Sequence, residues 1–102
     1  MKITYQIVYW RDIPAQVRFR SEGERFSKSL SPRFQEAIDE AAMRARTTGT
    51  DEYLEEWRPS EWLSVEGDPQ QQAEAIVAEL EASYSRERLE GLASRLGYET
   101  QT

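Results

Sequence analysis

The sequence predicts an α+β domain whose three- or four-stranded, mostly antiparallel sheet carries helices on one face, in the order β-β-α-β-α-α. Three observations predict this class. The chain opens with β-branched and aromatic residues in alternation, apolar residues recur at helical spacing in its later parts, and Pro or Gly separates these stretches. Because 102 residues are enough for one hydrophobic core, we expect one domain over residues 1–102.

The first two elements are strands. Residues 3–10 are β-branched or aromatic almost throughout, which is typical of a strand. Asp12 and Pro14 interrupt this pattern, because Asp favours turns and Pro cannot donate to a ladder. In residues 15–20, apolar and polar side chains alternate, so this second strand should have one buried and one solvated face. The two strands are expected to form a hairpin.

A helix follows the hairpin. Ser31 is positioned to cap free backbone amides, and Pro32 suits the first helical position, so the helix should begin there. Its apolar residues lie on one face, and Thr47-Thr48-Gly49 ends the pattern. Residues 25–30, between the hairpin and this helix, fit either a loop or a short extended piece.

The middle of the chain predicts further strands. The aromatic and apolar residues after Asp51 favour a third strand at about residues 53–58 and a weaker edge segment at about residues 61–65. Pro59 separates the two, since Pro is confined to edges and turns of a sheet.

The last part of the chain predicts two helices. Asp68 is a cap for a helix that begins at Pro69, and Gln71 could complete a capping box. The apolar stripe changes phase after residues 83–86, which places a break there. The final helix should end at Gly97.

Composition limits the chemistry that the chain could perform. The sequence contains no His and no Cys, which excludes imidazole and thiolate catalysis and the usual zinc ligands. Its isolated Gly residues do not form a phosphate loop. Adjacent acids such as Glu55 and Glu56 would point to opposite faces of a strand and would not converge on a substrate. We therefore expect a non-catalytic protein without cofactor or metal.

Compartment and partner class follow from cysteine usage and charge. The absence of Cys, and of an apolar stretch long enough for a signal or a membrane span, favours the cytoplasm. Residues 1–50 carry nine Lys and Arg against six Asp and Glu, whereas residues 51–102 carry four against thirteen. The net charge of −6 disfavours nucleic acid and anionic membranes and leaves a protein partner. The acidic helices could also be merely solvated.

The candidate binding surface lies on the polar face of the hairpin. Arg18 and Arg20 share that face, and alternation along the first strand would add Trp10 to it. Trp and Arg are typical of interface hot spots. The turn at residues 10–16 is a second candidate, because rigid hairpin ends often carry function. The expected binding residues are Trp10, Arg11, Asp12, Arg18, Arg20 and Trp57.

Other interpretations stay open from the sequence. Trp10 could instead pack under a helix while the arginines pair with Asp12 or Glu22. The chain could be a cofactor-free enzyme or ligand carrier, with a pocket of at least about 300 Å³ between sheet and helices. A homodimer could close through the open sheet face or the edge near residues 61–65. The residues that would line the pocket are Tyr5, Tyr9, Arg33 or Glu56.

Three segments of the chain resemble a known family. They are residues 9–17 (YWRDIPAQV), 32–39 (PRFQEAID) and 49–57 (GTDEYLEEW). Together they are similar to the bacterial "virulence factor" domain family, which includes a domain near the C-terminal end of the helical-repeat protein conserved virulence factor C. The resemblance spans about residues 3–84. It implies a cytoplasmic bacterial protein that stands alone or is fused to a scaffold, as interaction modules are, and it supplies no activity or cofactor.

Overall fold

The computed structural model describes residues 2–47, 49 and 51–99. These residues form a five-stranded antiparallel sheet and four α-helices, which confirms the predicted α+β class. In chain order the elements are β1 (Lys2–Trp10), β2 (Ile13–Ser21), β3 (Glu24–Ser29), α1 (Pro32–Ala45), α2 (Asp51–Glu55), β4 (Trp57–Pro59), β5 (Leu63–Glu66), α3 (Pro69–Ser83) and α4 (Arg86–Ser94).

Strand β1 occupies the centre of the sheet. It pairs with β2 along one edge, and β3 lies outside β2. On its other edge, β1 pairs with β4 near its end and with β5 near its beginning. Because β4 and β5 follow one another along the same edge, the five strands fill the width of four, and β3 forms one border of the sheet.

The register of β1 with β2 shifts between Val8 and Tyr9, which leaves Ala15 of β2 as an extra residue without a partner in β1. An extra residue of this kind bends and twists the strand that carries it. At this end of the sheet, Trp10 is fully buried opposite Ile13, in a cluster with side chains of α1 and α4. The prediction that Trp10 belongs to an exposed binding face is therefore wrong, and the alternative that it packs under a helix is confirmed.

Strand β3 occupies most of residues 25–30, for which the sequence allows either a loop or a short extended piece. It follows a two-residue turn in which Ser21 pairs with Glu24 while Glu22 and Gly23 have φ angles of 45° and 83°. Positive φ at both central residues is the signature of a type I′ hairpin turn, whose twist matches that of the flanking strands. The chain therefore continues the antiparallel sheet by one more strand.

Helix α1 begins where the sequence predicts, but its cap differs. Pro32 is the first helical residue, and Ser31 holds the cap position without a side-chain bond to the helix amides. Its hydroxyl donates instead to Glu81 on α3. The helix ends at Ala45, where Arg46 adopts the left-handed conformation. Of the predicted terminator residues, Thr48 lies outside the described part of the chain.

The two C-terminal helices follow the predicted signals closely. Asp68 caps α3 by accepting a hydrogen bond from the Gln71 amide at 3.0 Å. Helix α3 ends at Ser83 and α4 begins at Arg86, which confirms the predicted break. Helix α4 ends at Ser94, before the predicted end at Gly97. No helix of the described ranges is long and apolar enough to cross a bilayer.

The prediction of a strand at residues 53–58 is wrong for most of its length. Residues 51–55 form the helix α2, and a strand appears only at Trp57–Pro59. Asp51 and Glu52 occupy the first turn of α2, where acidic side chains are favoured by the helix dipole. The weaker edge segment is present as β5, two residues later than predicted at its start.

Two apolar clusters fix the helices to one side of the sheet. Helix α3 contributes Ala73 to a cluster with Ile3, Val17 and Phe19. At the hairpin end, Trp10 joins a second cluster with buried residues from α1 and α4. The opposite face of the sheet carries the alternate side chains of β1 and β2, among them the exposed Arg18 and Arg20. Ser60, in the connection from β4 to β5, covers part of it by accepting a bond from Gln6.

Candidate functional site

Arg18 and Arg20 lie on the side of the sheet that faces away from the helices, as the alternation in β2 predicts. Both side chains are exposed. Arg18 donates to the Gln6 side-chain oxygen at 3.5 Å, and the guanidinium of Arg20 lies 4.3 Å from the ring centroid of Trp62. Trp62 is 38% exposed, so a partner that reaches the arginines also reaches its ring.

Strand β3 adds a third arginine to the same face. In the register of β2 with β3, Arg25 is opposite Arg20 and Ser27 is opposite Arg18. These side chains surround a groove of about 520 Å³. We call this surface the arginine face and define it by Gln6, Arg18, Arg20, Arg25, Ser27 and Trp62.

The arginines of this face have no acidic counterpart in residues 2–47, 49 and 51–99. No carboxylate there lies within ion-pair distance of Arg18, Arg20 or Arg25. Pairing with Asp12 or Glu22, the alternative open from the sequence, is therefore not observed, and Asp12 binds Arg58 instead. Five arginines elsewhere do have carboxylate partners: Arg11, Arg33, Arg44, Arg58 and Arg88.

The local electrostatics of the face oppose the charge of the whole chain. Like charges directly opposite on neighbouring strands are destabilising, and Arg20 faces Arg25 in this way. A carboxylate placed between them would replace repulsion with attraction and could accept two parallel hydrogen bonds from a guanidinium. The arrangement is suited to binding an anion, although the net charge of the chain is −6.

A second groove adjoins Arg18 on the side away from Trp62. Its volume is about 460 Å³, and its lining includes Val8, Gln16, Leu30 and Trp57. Trp57 is half-buried and packs edge-on against Tyr53. Of the predicted binding residues, Arg18, Arg20 and Trp57 therefore reach the open face or its border.

The predicted turn residues are engaged within the fold. Arg11 lies between the rings of Trp10 and Tyr98, with centroid distances of 5.0 and 4.8 Å, and donates to the Leu96 carbonyl at 2.8 Å. Asp12 accepts bonds of 2.9 Å from Arg58 and from the backbone amide of Glu99.

Trp10 itself belongs to the interior of the protein, where its indole donates to the Tyr53 carbonyl at 2.9 Å. The turn thus binds residues 96–99 of its own chain. Trp10, Arg11 and Asp12 stabilise the hairpin end, and the structure does not bring them to the arginine face.

The residues suggested for a pocket between sheet and helices do not converge. Tyr5 lines a groove of about 310 Å³ between β1 and α3. Tyr9 lies under Arg58, and burial raises its pKa. Arg33 pairs with Glu81, while Glu56 lies 3.6 Å from Arg11. Tyr5 and Tyr9 are therefore near one another, whereas Arg33 and Glu56 belong to other surroundings.

The adjacent acids have a different setting from the one predicted. Asp51, Glu52 and Glu55 are exposed on α2 rather than on a strand, and Glu56 directly follows that helix. The described residues contain no group of three or more acidic side chains arranged to hold a metal ion.

The sequence does not place Arg25 or Trp62 in the site. Residues 25–30 fit either a loop or a short extended piece, so the sequence does not show on which face Arg25 lies. The Glu22-Gly23 dipeptide, read as a two-residue hairpin turn, would have predicted β3 and placed Arg25 opposite Arg20. Trp62 lies in a connection, where alternation gives no information about direction.

These features define a small α+β domain with an uncovered, arginine-rich sheet face. The chain matches the family described as virulence factor over residues 8–93, and it belongs to that family. The match confirms the resemblance seen in the sequence and extends it beyond residue 84 into α4. No curated protein and no solved structure matches the chain.

Proposed function

We propose that this domain is a non-catalytic interaction module that binds an acidic surface of a partner protein through the arginine face. The proposal is carried by one observation. In the described residues, Arg18, Arg20 and Arg25 share a face without carboxylate partners. Five other arginines are paired, and the remaining three lie apart from this face, at the ends of α1 and α4. A surface that presents guanidinium groups together is complementary to carboxylates from outside the chain.

The composition of the face favours a protein as the partner. Arg and Trp are enriched at interface hot spots, because they combine a large contact area with directed hydrogen bonds. Trp62 with Arg20 stacked on its ring supplies both properties at one point. A nucleic acid would meet the arginines but also the repulsion of a chain whose net charge is −6.

The test compares charge reversal on the face with the same reversal elsewhere. The immobilised domain is used to capture proteins from a lysate of the organism that encodes it, and the captured proteins are quantified by mass spectrometry. Arg18→Glu should reduce capture of the partner by about tenfold or more, because it replaces attraction with repulsion at the centre of the face. Arg86→Glu is the control, since Arg86 is exposed on α4, away from the sheet, and the change in net charge is the same.

Binding through this face should also weaken as salt is raised, since exposed charges are screened. Equal capture by the wild-type domain and Arg18→Glu would show that the arginine face is not the interface. Near-ultraviolet circular dichroism of each variant establishes that the fold is retained.

A second candidate function is small-molecule binding in the groove beside Tyr5. Leu80 and Tyr84 give this groove an apolar wall, while Glu79 and Arg88 place opposite charges at its rim. Its volume of about 310 Å³ is at the lower limit for ligand pockets. Ligand-detected NMR with a fragment library tests this function, and Leu80→Trp, which fills the groove, should abolish any binding located there.

A further inference from the structure

The border of the sheet next to the arginine face is a free strand edge. β3 is the terminal strand of the sheet, and β2 is its neighbour on the inner side. Arg25, Ser27 and Ser29 are exposed along this strand, and their side chains point to the same side as Arg18 and Arg20. The edge and the arginines therefore form one continuous surface.

The register shows which backbone groups point outward. In a two-residue hairpin, the residues flanking the turn exchange both hydrogen bonds, and bonded and non-bonded pairs then alternate. Ser21 and Glu24 flank this turn, so the even-numbered residues of β3 bond to β2. The bond from the Leu30 amide to the Ala15 carbonyl, 3.0 Å long, continues the same series.

The odd-numbered residues Arg25, Ser27 and Ser29 consequently direct their N–H and C=O groups away from the sheet. No backbone hydrogen bond from another element reaches these groups in the part of the chain described. Strand β3 also has no Pro and no register shift, so it lacks two devices that protect edges from pairing. The edge is regular enough to accept another strand.

Charge decides between the strands that could occupy this edge. Beside it lie Arg18, Arg20 and Arg25, whereas Lys28, which is opposite the buried Val17, places a further positive charge on the helix side of β3. A second copy of β3 would bring the same positive charges to the border, whereas an acidic strand would neutralise them. The surface is therefore complementary to an acidic segment rather than to itself.

We propose that an extended acidic segment of a partner protein adds to the sheet as a strand along β3. This inference rests on the proposed function, because it names the part of the partner that the arginine face binds. Opposite residues of paired strands lie about 4.5–5.5 Å apart between Cβ atoms, so a carboxylate opposite Arg25 can reach its guanidinium. Ser27 is small and leaves the space toward Arg18 open for a second carboxylate.

The geometry specifies a pattern for this segment. Alternate residues of a strand point to opposite faces, so two acidic residues separated by one position would both face the arginines. The intervening side chain lies on the helix side of the sheet, next to Phe26, which stacks on Phe19 with centroids 5.0 Å apart. That position favours an apolar residue. The expected motif is acidic, apolar, acidic in extended conformation.

The experiment uses NMR spectroscopy of the isotope-labelled chain with a synthetic peptide in which Glu and Val alternate. Binding by strand addition should slow hydrogen exchange at the amides of Arg25, Ser27 and Ser29 by about tenfold or more, because these amides become hydrogen-bonded. Two control peptides are the same sequence methylated on every backbone nitrogen and a peptide with the Glu residues contiguous. Methylation removes the backbone donors, and contiguous Glu residues direct every second carboxylate away from the arginines, so both peptides should bind at least about tenfold more weakly.

A variant tests the edge from the side of the domain. Ser27→Pro removes an outward N–H that no ladder bond uses, a position at which edge strands tolerate Pro. It should raise the dissociation constant of the alternating peptide by about tenfold, while Ser27→Thr, which keeps the N–H, should leave it unchanged. A melting curve shows whether Ser27→Pro is folded, and the methylated peptide gives the same information without any change to the domain.

The outcomes separate this inference from the proposed function. If the methylated peptide binds equally well, or if hydrogen exchange at the three amides stays fast on binding, an acidic partner binds the arginine face without strand addition. Either result would overturn only the inference. Failure of the alternating peptide to bind would also overturn the inference of strand addition. The capture experiment with Arg18→Glu would still test whether the arginine face binds a partner. A dimer in light scattering that Ser27→Pro dissociates would assign the edge to a second copy.

Discussion

Glu81 should be the most stabilising single carboxylate of the domain, and its removal tests the account of how α3 is joined to α1. The Glu81 carboxylate accepts bonds from the Ser31 amide at 2.6 Å and from the Ser31 hydroxyl at 2.8 Å, and it lies 2.7 Å from a guanidinium nitrogen of Arg33. Glu81 thereby binds Ser31, which holds the cap position of α1 and whose own side chain makes no bond to the helix amides.

The expected loss for Glu81→Ala follows from these contacts. Hydrogen bonds to charged groups contribute roughly 1.5–3 kcal/mol, and a helix cap contributes about 1 kcal/mol. Because the side chains of Glu81 and Arg33 keep about a quarter of their exposure, water replaces part of what is lost. We expect a decrease of about 2 kcal/mol in the free energy of unfolding, or about 8–16 °C in melting temperature for a domain of this size.

Thermal unfolding followed by circular dichroism at neutral pH measures this loss. The matched control is Glu74→Ala on the same helix, which is exposed and should change the stability by less than about 0.5 kcal/mol. A Glu81→Ala domain that melts within 2 °C of the control would contradict the assigned role of these bonds.

Acid should remove the same contribution. Burial opposes ionisation of Glu81, but the bonds from Ser31 and the charge of Arg33 outweigh it and hold the pKa below its ordinary value of 4.5. A carboxyl whose pKa is lowered by folding stabilises the protein above its unfolded pKa, and this stabilisation is lost as the pH falls through the folded value. The difference between the wild-type domain and Glu81→Ala should therefore shrink in acid, and a constant difference would refute the ionic contribution.

Three further perturbations have definite expected outcomes. Gly97→Ala should lower the free energy of unfolding, measured by urea denaturation, by about 3 kcal/mol, and Gly23→Ala should lower it by about 1 kcal/mol. Both glycines have positive φ, but only at Gly97 would the new Cβ lie 3.0 Å from Trp10. Asp12→Ala removes two hydrogen bonds and should lower the free energy of unfolding by about 1–2 kcal/mol, also measured by urea denaturation. Burial raises the pKa of Tyr84 above 10.0, so stability should fall as the pH rises through that raised value, and Tyr84→Phe should flatten this decline in melting temperature.

Local signals account for the parts of the fold that the sequence predicts. Alternation defines the β1–β2 hairpin, and Pro32 marks the start of α1. Asp68 caps α3 because its carboxylate accepts a hydrogen bond from the Gln71 amide. The break at residues 83–86 shows as a change in the phase of the apolar stripe. Each of these features depends on residues within a few positions of one another, so no tertiary information is needed.

The features that the sequence missed depend on pairing across the sheet. Trp10 is buried by residues of α1 and α4, which are distant from it in the chain, so alternation along β1 does not reveal its surroundings. Helix α2 is too short to show a helical period, and Tyr53, together with Trp57 of β4, suggests a strand until the contact of Tyr53 with Trp10 is known. The candidate site was accordingly half predicted. Arg18 and Arg20 follow from alternation alone, whereas Arg25 requires the β3 register.

The arginine face makes binding separable from stability. Exposed charges contribute about 0–1 kcal/mol to folding, and the Arg20–Arg25 pair contributes repulsion rather than attraction. Arg25→Glu should therefore leave the melting temperature unchanged or slightly raised, although it removes a proposed contact with the partner. Glu81→Ala should have the opposite profile, because it weakens the α1–α3 junction and leaves the open face intact. If Arg25→Glu unfolded the domain, the arginines would be structural, and the argument from their missing carboxylate partners would fail.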